Sequence, residues 1–429
     1  MKSRKTLNII TAIVYIVLFR EAYENCLYPV FEYYGYKLEN TEFVAKFISN
    51  ILAFIPILLY KPQNHNVSDF ISILIYVMIY VPTLLGLQYY YVDYASALPY
   101  QLAYLLAMCV FFSASRNKSS NKKFSPPSFY ISKNMVVSLG VLVLLVTFIV
   151  FRNNMQLVSF DSVYDIRTSG TQLADSIPVY SYLYAWMSTV FSPLFVTLGC
   201  VKNKKIYIYL GFFMSLVFYM TCGMKSTFFI PLLSLFLYKY LKKDADNFYY
   251  IFPLLSIGIA IPYVLYLLFD SRIVEILVGL IIMRTFGISA YLTPIYIDVF
   301  NRYPYTYYSH IRIIDAITGM YPFETHSLGN EVNLAYGTAD AEAQINANFL
   351  VTDGIAAGGI GGIIFITILF YFFLVFINRL CKSDNYYTAI AMLTGAAISL
   401  TNNSLFTTLL SSGLLFVICV IRFVKIDSK

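Results

Sequence analysis

Charge is scarce in this chain. Of its 429 residues only 12% are Asp, Glu, Lys or Arg, while 59% are hydrophobic. A water-soluble fold needs a charged coat, which this chain cannot supply, so the composition points to a polytopic membrane protein. Tryptophan occurs once, at Trp186, and histidine three times, at His65, His310 and His326. Histidines so dispersed give no metal cage by spacing. The cysteines (Cys26, Cys109, Cys200, Cys222, Cys381 and Cys419) form no C-x-x-C pair and fall mostly in apolar runs. They read as small buried hydrophobes and not as a disulfide frame or a zinc site. G-x-S-x-G, Walker A and H-E-x-x-H are all missing, which removes the common soluble-enzyme fingerprints.

Long apolar runs and aromatics are abundant, with 40 tyrosines and 36 phenylalanines. A membrane span needs about 20 mostly apolar residues. About twelve candidates occur, near 6–28, 42–60, 70–91, 95–115, 134–151, 179–200, 206–222, 226–241, 248–268, 354–377, 387–402 and 404–421. The expected fold is therefore all-α. The opening MKSRKTLNIITAIVYIVLF lacks a small-residue cleavage site, so it reads as a retained first helix.

With the N-terminus in the cytoplasm, the short inner segments hold about two thirds of the lysines and arginines and about a fifth of the acids. The net charge of +7 is then a topology signal, and no nucleic-acid partner is expected. Two outer segments are long, 152–178 and 269–353, so the working surface is expected outside. The chain divides into a bundle of about nine spans (1–268), a large outer loop (269–353) and about three closing spans (354–429). Within the large loop, DSRIVEILVGLIIMRTFGISAYLTPIYIDVF is apolar but broken by Arg272, Glu275, Arg284 and Asp298. One added crossing here would reverse the later hairpins and contradict the basic tail. A helix lying along or dipping into the outer interface is expected instead.

The outer cations are Arg152, Arg167, Lys225, Arg272, Arg284, Arg302 and Arg312. Any single one is explained by interfacial anchoring or a surface ion pair. As a set they suit a lipid-linked pyrophosphate. Lys225 sits at the turn of a tight hairpin, and Arg284 lies in the apolar IIMRTFG, where a guanidinium can grip phosphate with two hydrogen bonds. Acid–base candidates are His310, Glu324, His326, Asp340 and Glu342, and spacing does not choose among them. Asp244-Ala-Asp246 reads as a solvated charge cluster. Asp340-Ala-Glu342 reads as a helix start or a solvated face, and also resembles the acidic pair of metal-dependent lipid-linked glycosyltransferases. In DGIAAGGIGGIIFITILF, Gly354, Gly358 and Gly362 are spaced four apart, as on one face of a membrane helix thinned for close packing or for a lipid carrier. Asp353 would cap or hinge that end, or join an ion pair.

The whole pattern resembles the bacterial oligosaccharide repeat-unit polymerases, the Wzy-type O-antigen and capsule polymerases. SFDSVYDIRTSG is similar to that family's medium loop. TCGMKSTFFIPLLSLFLYKYL is similar to its hairpin with a basic residue before serine, where arginine is commoner and this chain has Lys225. IIMRTFG and NANFLVTDGIAAGGIGGIIF are similar to the segments that open and close its large loop. The resemblance implies a glycosyltransferase-C-like bundle in the cytoplasmic membrane with both termini inside. It implies transfer of a growing glycan from undecaprenyl pyrophosphate to a new lipid-linked repeat unit at the outer face, without metal or other cofactor. Besides lipid-linked oligosaccharide and membrane lipid, a chain-length regulator protein is an implied partner. Carried to matching positions, the pyrophosphate ligands are Arg167, Lys225 and Arg284, with Arg312 added on charge; His310, His326 and Glu342 are the catalytic candidates. The rivals are a flippase or exporter of the same lipid-linked sugar, an O-antigen ligase, and a multi-span acyltransferase. No repeat between 1–200 and 201–429 supports a two-halved transporter, and the acyltransferases' early histidine–aspartate motif is missing.

Overall fold

The structure, a computed structural model, describes residues 2–61, 66–117, 123–156, 173, 177, 180–324, 327–337, 345–381 and 386–426; the side chains of residues 2, 3, 225 and 226 are outside that description. The helices are α1 (Arg4–Tyr34), α2 (Phe43–Leu59), α3 (Val67–Tyr90), α4 (Tyr94–Arg116), α5 (Lys133–Phe151), α6 (Tyr180–Lys202) and α7 (Lys205–Cys222). After them come α8 (Phe229–Lys243), α9 (Ala245–Leu268), α10 (Arg272–Phe300), α11 (Arg312–Thr318) and α12 (Leu328–Tyr336). The chain closes with α13 (Val351–Leu380), α14 (Tyr386–Ser399), α15 (Leu405–Leu410) and α16 (Leu414–Phe423).

Among the described residues there is no strand, and nine helices are long and apolar enough to cross a membrane: α1, α3 to α7, α9, α10 and α13. The protein is an all-α polytopic membrane protein. The spans expected near 226–241 and 387–402 are occupied by the shorter α8 and α14, of 15 and 14 residues. The one expected near 404–421 is divided between α15 and α16, with Gly413 left-handed at the join. Two compact units arise. The first comprises Met1–Ser120, Phe248–Phe376 and Thr401–Ser404; the second comprises Asn121–Asn247, Ile377–Leu400 and Leu405–Lys429.

In the second unit α6 packs against α7, α8 and α14. Pro193 cannot donate to the Thr189 carbonyl one turn earlier. Gly395 on α14 gives that carbonyl room, since a Cβ there would overlap it. Ser234 of α8 donates to the Ala391 carbonyl at 2.9 Å. Small residues and hydroxyls thus bring three helices close where no water can satisfy backbone groups.

In the first unit α3 is the buried centre. Pro82 again withholds an N–H, and α3 widens into a π-turn at Tyr76–Tyr80. Side chains supply the missing donors: Tyr15 donates to the Val77 carbonyl at 2.5 Å and Ser289 to the Met78 carbonyl at 3.2 Å. Gly86 makes room for the Ala290 carbonyl, which Pro294 leaves without its helical donor.

Contacts between helices fix directions. Tyr15 meets Val77, and Arg20 meets Gln88 at 2.9 Å, so α1 and α3 run parallel. Arg4 lies over Tyr249 and Asn25 bonds Tyr263, so α9 runs the same way. Tyr90 and Leu268 therefore lie at one end of the unit. α10 leaves from that end antiparallel to α9, with Phe286 beside Gly258. Past Gly287 it rises along α3, from Ser289 on Met78 to Asp298 on Tyr90. Both its ends reach the same end of the unit. α10 dips in and returns, although at 29 residues it is long and apolar enough to cross.

α13 is not one straight helix. Gly358 is extended and Gly359 left-handed (φ +59°), and the helical path breaks there. The arm before the break folds antiparallel onto the arm after it. Gly354 faces Gly362 and Ile363, and the Phe349 and Phe370 rings lie 4.5 Å apart. This corrects the expectation of one helix face carrying Gly354, Gly358 and Gly362: two of these glycines meet each other across a hairpin. Phe349 also packs near Phe111, toward the far end of α4, so the short arm begins deep in the unit.

Candidate functional site

The tip of the α13 hairpin and the exit of α10 lie together at the Tyr90 end of the first unit, where two features converge. The first is a buried clamp. The segment Tyr303–His310 docks on the broken tip: the N–H of Thr306 donates to the Ala356 carbonyl at 2.8 Å and that of Tyr307 to the Ala357 carbonyl at 3.1 Å. The break in α13 deprives these carbonyls of regular helical donors. His310 fixes the segment from within. One ring nitrogen meets Asp353 Oδ1 at 3.0 Å and the other the Thr306 hydroxyl at 2.9 Å. The His310 side chain is 5% exposed and that of Asp353 0%.

Asp353 sits in the π-turn Val351–Ile355, with the helical path already under way at Phe349. It therefore does not cap that helix, and its pairing role is the one the structure displays. The clamp imposes strain. Tyr307 and Tyr308 both have positive φ, +45° and +68°, a conformation costing roughly 1–2 kcal/mol per residue without glycine. The Tyr305 hydroxyl stands 2.8 Å from where a Cβ on Gly359 would be. Burial, with the Asp353 charge nearby, pushes the Tyr308 phenol above its ordinary value.

The second feature is Asp298, in the last turn of α10. Tyr90 donates to its Oδ2 at 2.8 Å and Tyr91 to its Oδ1 at 3.0 Å. Arg302, one turn on, donates to the Asp298 backbone carbonyl at 3.1 Å. Lys37 lies over the Tyr90 ring at 4.1 Å. Burial and the Asp298 charge raise the Tyr91 phenol above its ordinary value.

The expected cations fall differently. Arg284 is exposed on the entering arm of α10, over the Tyr34 ring at 5.5 Å, and Ile273 and Ile276 earlier on that arm are exposed aliphatics. Arg312 is exposed at the start of α11. Lys225 opens the turn Lys225–Phe228 of the second unit, two residues after the left-handed Gly223, and its side chain is outside the description. Arg167, His326, Asp340 and Glu342 lie outside the described residues. Asp244 accepts from the Asp246 N–H at 2.8 Å, a local turn. Among the described residues no group of three or more His, Cys, Asp or Glu comes together to hold a metal ion.

Sequence reasoning named Asp298 only as an interruption of an apolar run. Its partners are 207 and 208 residues away in the chain, beyond any spacing rule. The available signal was physical: a carboxylate in the last turn of an apolar helix sits at the wrong end of the helix dipole and needs donors. Comparison with protein-family models, with curated proteins and with solved structures finds no match to this chain.

Proposed function

We propose that the protein is a glycosyltransferase that polymerises lipid-linked oligosaccharide repeat units at the outer face of a bacterial cytoplasmic membrane. In this reading the Tyr90 end of the first unit is the outer end, and both termini are cytoplasmic. The reaction breaks the C1–O bond between the growing glycan and undecaprenyl pyrophosphate. A new C1–O bond forms to a hydroxyl of the incoming unit, and that hydroxyl loses its proton. Because the leaving group arrives activated, the protein must chiefly neutralise phosphate and position the acceptor.

The observation that carries the reading is Arg284. An exposed guanidinium on a dipping helix, with the exposed Ile273 and Ile276 earlier on the same arm, is where a pyrophosphate on a membrane-embedded lipid would arrive. Arg312 and Arg302 are exposed at the same end and suit the second lipid-linked substrate. Arg167 and Lys225 remain proposed phosphate ligands on resemblance, and His326 and Glu342 remain proposed acid–base groups. Both ring nitrogens of His310 are engaged in a buried clamp, so its role in this reading is to hold the Tyr303–His310 segment on the tip of α13.

Gel display of surface glycan from a deletion strain tests the proposal. The expected result is glycan capped with a single repeat unit, with the ladder restored by the wild-type gene. A flippase is the second reading, favoured by one observation: the broken α13 and dipping α10 resemble the discontinuous helices of transporters. It predicts complete loss of surface glycan, with lipid-linked units held inside.

A further inference from the structure

We infer that Asp298 is the floor of a carbohydrate subsite, where its carboxylate accepts hydrogen bonds from hydroxyls of the acceptor sugar. The inference rests on the polymerase reading and names a residue and ligand class within it.

Energy argues first. Asp298 stands in the last turn of α10, where the helix dipole repels a carboxylate. Nothing in the packing of α10 requires an acid there; every other residue from Ile288 to Phe300 is buried and uncharged. The cost is met by two phenol donors, one to each oxygen. They come from Tyr90 and Tyr91, at the exit of α3, so the carboxylate is locked to the most buried helix of the unit.

Valence argues second. An ionised carboxylate has about four acceptor positions, and two phenols leave about two. Asp298 is partly exposed, so those positions are reachable. A fixed acceptor with two open positions fits vicinal hydroxyls of a pyranose. It repels phosphate, so the ligand it accepts is a neutral part of the substrate.

Surroundings argue third. Tyr100 feels the charge of Asp298 on one side and the phenol of Tyr305 on the other. Tyr91, Tyr100 and Tyr305 are all partly exposed. Tyrosine rings beside a carboxylate offer apolar faces for the C–H side of a sugar and hydroxyls for its edge. Tyr305 also rests on Gly359, so the subsite adjoins the broken tip of α13. The buried clamp through His310 then fixes one wall, and Asp298 fixes the floor.

The test uses full-length protein purified in detergent and, as probe, the oligosaccharide released by mild acid from the lipid-linked pool of the deletion strain. Wild type is expected to bind it, and Asp298→Asn to weaken binding by about tenfold or more, since the lost interaction is a charge-assisted hydrogen bond. Asp270→Asn, the same change at an exposed acid with no role in the site, should leave binding of this probe unchanged. Carbodiimide labelling of wild type needs no variant: the probe should protect Asp298 and spare the exposed Asp270. Equal affinity in wild type and Asp298→Asn, or no protection of Asp298, overturns the inference. A deletion strain that keeps its full ladder sinks the polymerase reading instead, and the binding result still decides the subsite.

Discussion

Gly354 and Gly362 face each other across the α13 hairpin, so closely that a methyl group on Gly362 would overlap the Gly354 carbonyl. Between these two glycines no side chain intervenes. Gly362→Ala should therefore lose about 1–3 kcal/mol of stability through overpacking. Gly361, where an added Cβ meets nothing within 4 Å, is the control. Gly361→Ala should be neutral or gain up to about 1 kcal/mol from helix propensity. Thermal melting of the two variants in detergent separates them; equal melting points would mean the hairpin is not closed by these glycines.

The clamp between His310 and Asp353 gives a second prediction. Removing one partner leaves a buried polar or charged group without its mate, at a cost of about 3–5 kcal/mol. His310→Ala and Asp353→Ala should each melt early, and the double variant should lose much less than their sum. Additive losses in this double-mutant cycle would show that the two side chains are not coupled.

Arg284 separates two kinds of cation. A guanidinium grips phosphate with two parallel bonds, and an ammonium acts as a point charge. With lipid-linked repeat units as substrate, Arg284→Ala should lower kcat/KM by about tenfold or more, and Arg284→Lys should fall between it and wild type. Full-length ladders from Arg284→Ala at normal expression would remove Arg284 from the site.

Alkaline pH offers a fourth. Burial raises the Tyr91 and Tyr308 phenols above the ordinary value of 10.0. A group raised in the folded state contributes stability that is fully present below its unfolded value and is lost as pH rises toward its folded value. Melting temperature should be flat below about pH 9.5 and fall above about pH 10. Tyr91→Phe together with Tyr308→Phe should make the decline shallower without abolishing it. An unchanged slope in that double variant would assign the alkaline loss to other groups.

The membrane class and most helices were legible because apolar runs of span length are local facts. The path of those helices was not. α10 has the composition of a crossing helix, and only its contacts with α9 on entry and α3 on exit expose the reversal near Gly287. The glycine run suggested one thin face because four-residue spacing presumes an unbroken helix. The break at Gly358 and Gly359 turns the same spacing into a hairpin contact. Of the site residues, Arg284 was visible as a cation in an apolar run. The link of His310 to Asp353 spans 43 residues and that of Asp298 to Tyr90 spans 208, so both appear only when the chain folds.

Reconstitution tests the central proposal most directly. Purified protein in proteoliposomes is given isolated undecaprenyl-pyrophosphate-linked repeat units, with chelator present and no nucleotide. Polymerisation predicts a ladder of longer lipid-linked glycans and release of undecaprenyl pyrophosphate. Units that cross the bilayer without growing in length would contradict it.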